Sequence, residues 1–292
     1  MSLRLVLALV MACAAFAAAP ASAQFREPKP VTIAIWPNGA PGSESRRNEP
    51  EQAQDYWVRN VHNPTITLFK PVRQNGSAII IFPGGAHEML VWTGEGVKGA
   101  QAFNRYGITI FVLKYRLARE KGSTYKIGDA ADDARRAIRH VRANAAQYGV
   151  DPKRIGVMGF SAGGELVTLV ADNPEPEMKR TPDAIDRVSA RPDFQVQVFP
   201  GPFGLPAKAA KGAPPAFLVA GSEDPCCARP TVQLYSELAA AGVPAELHMY
   251  ARAGHAFNVD ETDRISVMHW PDRLADWMLD EGLIDGKGMP AR

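Results

Sequence analysis

The sequence predicts an α/β fold, a mostly parallel central sheet of about eight strands with helices on both faces. Three observations carry that prediction. Short apolar runs alternate with helix-like stretches along nearly the whole chain. Some runs, such as residues 78–82, are continuously apolar, as strands covered on both faces must be. Finally, Gly159-Phe160-Ser161-Ala162-Gly163 joins one such run to a helical one through a sharp turn.

Residues 1–23 stand apart from the fold. A short basic start, an apolar run over 5–19 and the small residues Ala21-Ser22-Ala23 form the pattern of a secretory signal peptide, so a mature chain starting at Gln24 is expected. A membrane anchor is disfavoured because the apolar run is short and alanine-rich. A lipoprotein signal ending at Cys13 is the other alternative. The expectation is a secreted or periplasmic protein in which residues 24–292 form one domain with no stable membrane span.

Within that domain, 31–35 is a short strand, and the breaker-dense Trp36-Pro-Asn-Gly-Ala-Pro-Gly42 after it is a loop. Residues 43–51 are polar and belong to the surface. Residues 65–69 alternate like a strand, 78–82 form a buried strand, 96–106 suit a helix, and 108–115 form another buried strand. The clearest amphipathic helix spans 129–147, with Ala131, Ala134, Ile138, Val141 and Ala145 on one face. Its other face carries Arg135, Arg136, Arg139 and Arg142, preceded at pairing distance by Asp132 and Asp133, so a solvated face is expected rather than a nucleic-acid contact. Residues 154–158 lead into the serine turn, and 164–170 form the helix after it. Residues 173–192 are too rich in proline and charge for a core element. Strands at 194–199, 216–220 and 245–250 follow, with a helix at 231–241 stopped by Gly242-Val-Pro244. The last helix, 269–280, places Trp270, Leu274, Trp277 and Met278 on one side, as core packing.

The formal charge of +2 demands no polyanionic partner. Beyond the leader the cysteines are Cys226 and Cys227, so no disulfide framework stabilises the chain. As neighbours they form either a ring disulfide or a pair of small buried hydrophobes.

The chemistry gathers around Ser161. In a G-x-S-x-G elbow the flanking glycines let strand and helix close around a strained serine, whose hydroxyl then stands at a helix N-terminus suited to a developing oxyanion. Gly84 and Gly85, directly after the buried strand, can turn main-chain N–H groups toward one point and are candidate oxyanion donors. A serine needs a base, and the base needs a carboxylate. Asp224 follows the 216–220 strand and His255 follows the 245–250 strand, in the chain order serine, acid, histidine. Gly254 leaves room for the imidazole, and Glu223 is the rival acid. His62, His140, His248 and His269 are structural. His87, beside the glycine pair, divides between substrate contact and loop packing. No H-x-x-x-H, H-E-x-x-H or C-x-x-C spacing is present, so neither metal nor cofactor is expected.

These residues resemble the α/β-hydrolase family, and within it the secreted acetyl xylan and feruloyl esterase-like group related to bifunctional carbohydrate esterases. The resemblance runs through Leu68-Phe69, Phe82-Pro-Gly-Gly85, Glu95-Gly96, Phe111-Val-Leu-Lys-Tyr-Arg-Leu117, the segment from Asp151 through the elbow to Gly164, and Ala241-Gly-Val-Pro-Ala-Glu-Leu-His248. It implies Ser161 as nucleophile, Asp224 as acid, His255 as base, and the N–H groups of Gly84, Gly85 and Ala162 as the oxyanion hole. It also implies hydrolysis of short-acyl esters on small molecules or polysaccharide, without a large cap. The chain departs from the group at Ala86 and His87, where substrate contacts are expected, at Glu165, and at Cys226-Cys227. A generic short-chain esterase or lipase, a small-peptide hydrolase, and a silent binding protein on the same scaffold are the rival readings.

Overall fold

The computed structural model describes residues 28–175, 183–203, 209 and 211–286. The expected leader lies outside the described residues. Numbering only the strands of the main sheet, the chain forms β1 (Val31–Ala34), β2 (Thr65–Phe69), β3 (Ala78–Phe82), β4 (Thr109–Lys114), β5 (Ile155–Phe160), β6 (Gln195–Val198), β7 (Ala216–Gly221) and β8 (Ala245–Tyr250). Their order across the sheet is β1-β2-β4-β3-β5-β6-β7-β8. The β1–β2 and β2–β4 pairs are antiparallel. From β4 onward every pairing is parallel, so the carboxyl ends of β3, β5, β7 and β8 open on one edge of the molecule, where open α/β sheets bind their ligands.

Period-two alternation sends each central strand's side chains to opposite faces. Ile79, Ile81, Ile110, Val112, Met158 and Phe160 pack with Phe103, Trp270 and Leu274 on one side. Ile80, Phe82, Phe111, Leu113, Ile155 and Val157 pack with Ala134, Ile138, Val141, Leu166 and Val167 on the other. The helices providing these covers are α1 (Lys98–Asn104), α2 (Ile127–Ala143), α3 (Ala162–Asp172) and α5 (Trp270–Asp280), with α4 (Ala228–Ala240) beside β7 and β8. Trp270, Leu274, Trp277 and Met278 are all buried, as their spacing on α5 predicts.

Three features depart from the sequence reading. A small antiparallel sheet, Gln52–Gln54, Trp57–Arg59 and Leu90–Val91, forms where no strands are predicted, because its pieces are too short for periodicity to register. The helix expected over 129–147 breaks at Asn144; a short turn, Ala145–Tyr148, then ends at Gly149, whose φ of +72° is costless only for glycine. The arginine face of α2 is not solvated. Arg135, Arg136 and Arg139 are buried, and described residues of the 173–192 segment, expected to be too irregular for a core element, cover them. Arg136 pairs with Asp183 and Asp186 at 2.7 and 2.9 Å, and Arg139 with Glu175 at 2.6 Å while donating to the Val188 carbonyl. Asp133 does not serve this face: fully buried, it accepts from Arg116 and from the Trp36 indole. Charges on a helix are buried here because an irregular segment brings its own carboxylates to meet them.

Candidate active site

Ser161 stands between β5 and α3 with φ +49° and ψ −115°, a strained backbone that lifts a side chain out of the sheet. Two close approaches impose it. A Cβ on Gly163 would overlap the Phe82 carbonyl oxygen, and one on Gly159 would overlap the Gly163 carbonyl. The peptide is also fixed at both ends. Ser161 donates its N–H to the Val198 carbonyl at 3.0 Å, while its own carbonyl accepts from Gly164 and Gly201 at 2.9 and 3.1 Å.

The fold brings Ser161, His255 and Asp224 into one chain of contacts. His255 Nε2 lies 3.1 Å from Ser161 Oγ, and His255 Nδ1 lies 2.6 Å from Asp224 Oδ2. A buried carboxylate beside Nδ1 requires the hydrogen there, which leaves Nε2 free to accept from the serine. The other oxygen of Asp224 accepts the N–H groups of Cys226 and Cys227 at 3.1 and 3.0 Å. The Phe199 ring meets the imidazole edge-on, its centroid 4.7 Å away. Glu223, the rival acid, is exposed and its N–H is bonded to the Ala253 carbonyl. Gly254 does not make room for the imidazole, because a Cβ there would meet no atom within 4 Å. The close approach is instead at Gly221, where a Cβ would overlap the Ala253 carbonyl.

The glycine turn after β3 corrects one expectation. The Gly84 N–H points to the buried carboxylate of Glu95, at 2.5 Å from Oε2, and so is not free for an oxyanion. Gly85, at φ +117°, and Ala162, at the first position of α3, remain as the candidate main-chain donors. Glu95 lies in a π-helical turn, Trp92–Val97, that leads into α1. Burial pushes its carboxyl up to about 8, with the nearby charge of Glu261 adding to the rise and the Gly84 hydrogen bond opposing it. Tyr115, its hydroxyl raised well above the usual range by burial, donates to the Pro83 carbonyl at 2.5 Å and so holds the same turn.

Ala86 is exposed on this turn, whereas His87 is fully buried. His87 is therefore a packing residue and its side chain is not open to substrate. Its Nε2 bonds Glu165 Oε2 at 2.8 Å, and the other Glu165 oxygen accepts the Phe203 N–H at 3.1 Å. Glu165 thus ties the glycine turn to the loop after β6, which is more than a favourable charge in the first turn of a helix. Glu95 and this function of Glu165 escape sequence reasoning because each partner, a main-chain N–H or a distant histidine, is chosen by the fold.

Cys226 and Cys227 are joined as a disulfide, with Cys226 exposed and Cys227 fully buried. Cys226 Sγ lies 3.7 Å from His255 Nδ1. Although no metal-binding spacing is present in the sequence, one ligand atom from each of Asp224, Cys226, Cys227 and His255 falls within 4.8 Å of the others.

A serine elbow after the fifth strand and an acid and a histidine after the seventh and eighth define the class: the chain has the α/β-hydrolase fold. More narrowly, the BD-FAE family model matches residues 66–206, a range that includes the elbow and β3 to β6. The chain is 31% identical over 135 residues to an acetylxylan esterase of Xylanibacter ruminicola, a match covering 46% of this chain and 25% of that protein. An ethyl acetate hydrolase of Pseudomonas putida is 25% identical over 204 residues, covering 65% of this chain and 51% of that one. The chain thus spans between a quarter and about half the length of these curated relatives. Among solved structures, an acetyl ester-xyloside bifunctional hydrolase from Caldicellulosiruptor lactoaceticus superposes with a TM-score of 0.70 at 27% identity, covering 87% of this chain and 97% of that one.

Proposed function

We propose that the protein is a serine carboxylesterase that hydrolyses short-acyl, acetyl-type esters carried on carbohydrate. The observation that carries this reading is the unbroken series from Ser161 Oγ through His255 to Asp224, with contacts of 3.1 and 2.6 Å. Ser161 attacks the ester carbonyl as His255 Nε2 takes its proton, and Asp224 stabilises the imidazolium through Nδ1. The oxyanion is held by the N–H groups of Gly85 and Ala162 at the N-terminal end of α3. His255 returns the proton to the leaving alcohol. Water then enters by the same route and releases the acid from the acyl-enzyme.

The acetyl ester class is supported by the likeness to an acetylxylan esterase and to an acetyl ester-xyloside hydrolase. Export through residues 1–23, to the periplasm or outside, suits a polysaccharide substrate and belongs to the same proposal. Among the described residues no helix is long and apolar enough to cross a membrane. The test compares wild type and Ser161→Ala on nitrophenyl acetate, butyrate and octanoate, then on acetylated xylan, pectin and feruloylated substrates. Acetate is expected to be turned over fastest and acetylated xylan to release acetate. Equal inactivity of both proteins on every ester overturns the enzyme reading and leaves a binding protein on a hydrolase scaffold. An exported protein that still begins at Met1 overturns the cleaved signal peptide.

A further inference from the structure

The disulfide beside the acid–base pair carries chemistry that ester hydrolysis does not use. Cys226 is exposed, and so the half of the disulfide that an external thiol can reach, whereas Cys227 is buried at the start of α4 as its N-cap. While the two sulfurs are bonded to each other neither is a thiolate, and neither is a strong metal ligand. Reduction changes both at once.

We propose that the dithiol form of Cys226–Cys227 is a binding site for one thiophilic divalent cation of the zinc or cadmium kind, completed by His255 Nδ1 and an Asp224 carboxylate oxygen. A dithiol reductant supplies two electrons and two protons, the Sγ–Sγ bond breaks, and the reductant leaves as its own cyclic disulfide. The cation then replaces the two thiol protons and bonds both sulfurs. A tetrahedral ion with bonds of about 2.0–2.3 Å spaces its ligand atoms about 3.3–3.8 Å apart. The four ligand atoms already lie within 4.8 Å of one another, so after reduction the site needs the two sulfurs to separate, the 2.6 Å contact between His255 Nδ1 and Asp224 to lengthen and the widest pairs to close by about 1 Å.

The donors also fit by type, since two sulfurs and an imidazole favour a soft or borderline ion over calcium or magnesium. Occupancy has a consequence for His255. Nδ1 now donates to Asp224 at 2.6 Å, and an ion bound at Nδ1 takes the place of that hydrogen. The neutral ring then carries its hydrogen on Nε2, the atom that must be bare to accept from Ser161. The bound cation therefore switches the relay off.

Cadmium chloride is the probe, applied to the full protein before and after mild dithiol reduction with the reductant removed. The expected result is one cadmium per reduced chain by equilibrium dialysis, with a thiolate-to-cadmium absorption band in the ultraviolet, and none in the oxidised protein. Turnover of nitrophenyl acetate by the reduced form is expected to fall about tenfold or more at equimolar cadmium and to return on chelation. Reduced Ser161→Ala must bind cadmium as the wild type does, which separates this site from the esterase reading. The double variant Cys226→Ser with Cys227→Ser must bind none. Absence of binding to the reduced protein, the same binding in oxidised protein or in the cysteine variant, or full turnover with one cadmium bound overturns the proposal.

Discussion

The two walls of the site are built differently. On the elbow wall, Ser161 and the Gly84–Gly85 turn are held by main-chain close approaches and by the buried side chains of Glu95, Tyr115, His87 and Glu165. On the relay wall, Asp224 takes two N–H groups from its own loop, and His255 reaches the serine from a side chain about one-third exposed. One wall is fixed by what cannot move, the other by hydrogen bonds that can be exchanged. Damage to the first should therefore appear as lost fold, and damage to the second as lost chemistry in an intact protein.

The sharpest use of that difference is on the relay wall. His255→Ala is expected to lower kcat on nitrophenyl acetate by about 10⁶-fold, because a serine without its base is left with only the oxyanion donors and binding. Asp224→Asn is expected to cost about 10⁴-fold, because an amide cannot hold the hydrogen on Nδ1. In both variants the thermal midpoint should stay close to that of wild type; a large drop would show that the relay wall is structural as well. Gly163→Ala is the counterpart on the elbow wall. Its Cβ would overlap the Phe82 carbonyl, and the strain is expected to destabilise the protein by about 3 kcal/mol or more. Denaturant unfolding measures it, and a folded, fully stable variant would mean that the elbow can open without loss.

The same contrast explains what was legible in the sequence. The elbow, the acid and the histidine could be located because each sits at a strand end and the order of strands is written in apolar runs. The strands themselves emerge to within a residue or two, and 65–69, 78–82 and 245–250 coincide with the observed bounds. The arginine face of α2 could not be placed, since periodicity tells which side is polar but not that 183–193 will fold over it with Asp183, Asp186 and Asp193. Nor could the use of Gly84, because a glycine N–H offered to an oxyanion and one offered to Glu95 have the same sequence.

Glu95 supplies a test of the elbow wall that depends on pH. Its carboxyl titrates at about 8 in the folded protein against an ordinary value of 4.5, so between those pH values the folded state holds a proton that the unfolded state lacks. Stability from this group is then full below about pH 4.5, declines as the pH rises toward 8 and is level above it. Glu95→Gln mimics the neutral carboxyl at every pH and still offers an oxygen to Gly84. Relative to that variant, the thermal midpoint of wild type is expected to fall from pH 5 to pH 8; a constant difference would place an ionised carboxylate at Glu95. Glu95→Ala leaves the Gly84 N–H without its acceptor and is expected to cost about 1–3 kcal/mol.

The smallest expected effect decides which acid serves the relay. Glu223 and Asp224 are adjacent, and both are carboxylates at the end of β7. The fold gives them opposite surroundings: Glu223 is exposed, whereas Asp224 is 4% exposed and bonds the imidazole. An exposed carboxylate bordering a site contributes at most a screened charge, so Glu223→Gln is expected to change kcat and the thermal midpoint by no more than assay error. Loss of activity in Glu223→Gln with activity kept in Asp224→Asn would reverse the assignment. It would also mean that the loop from Gly221 to Cys227 rearranges in solution, which the two main-chain N–H groups on Asp224 Oδ1 oppose.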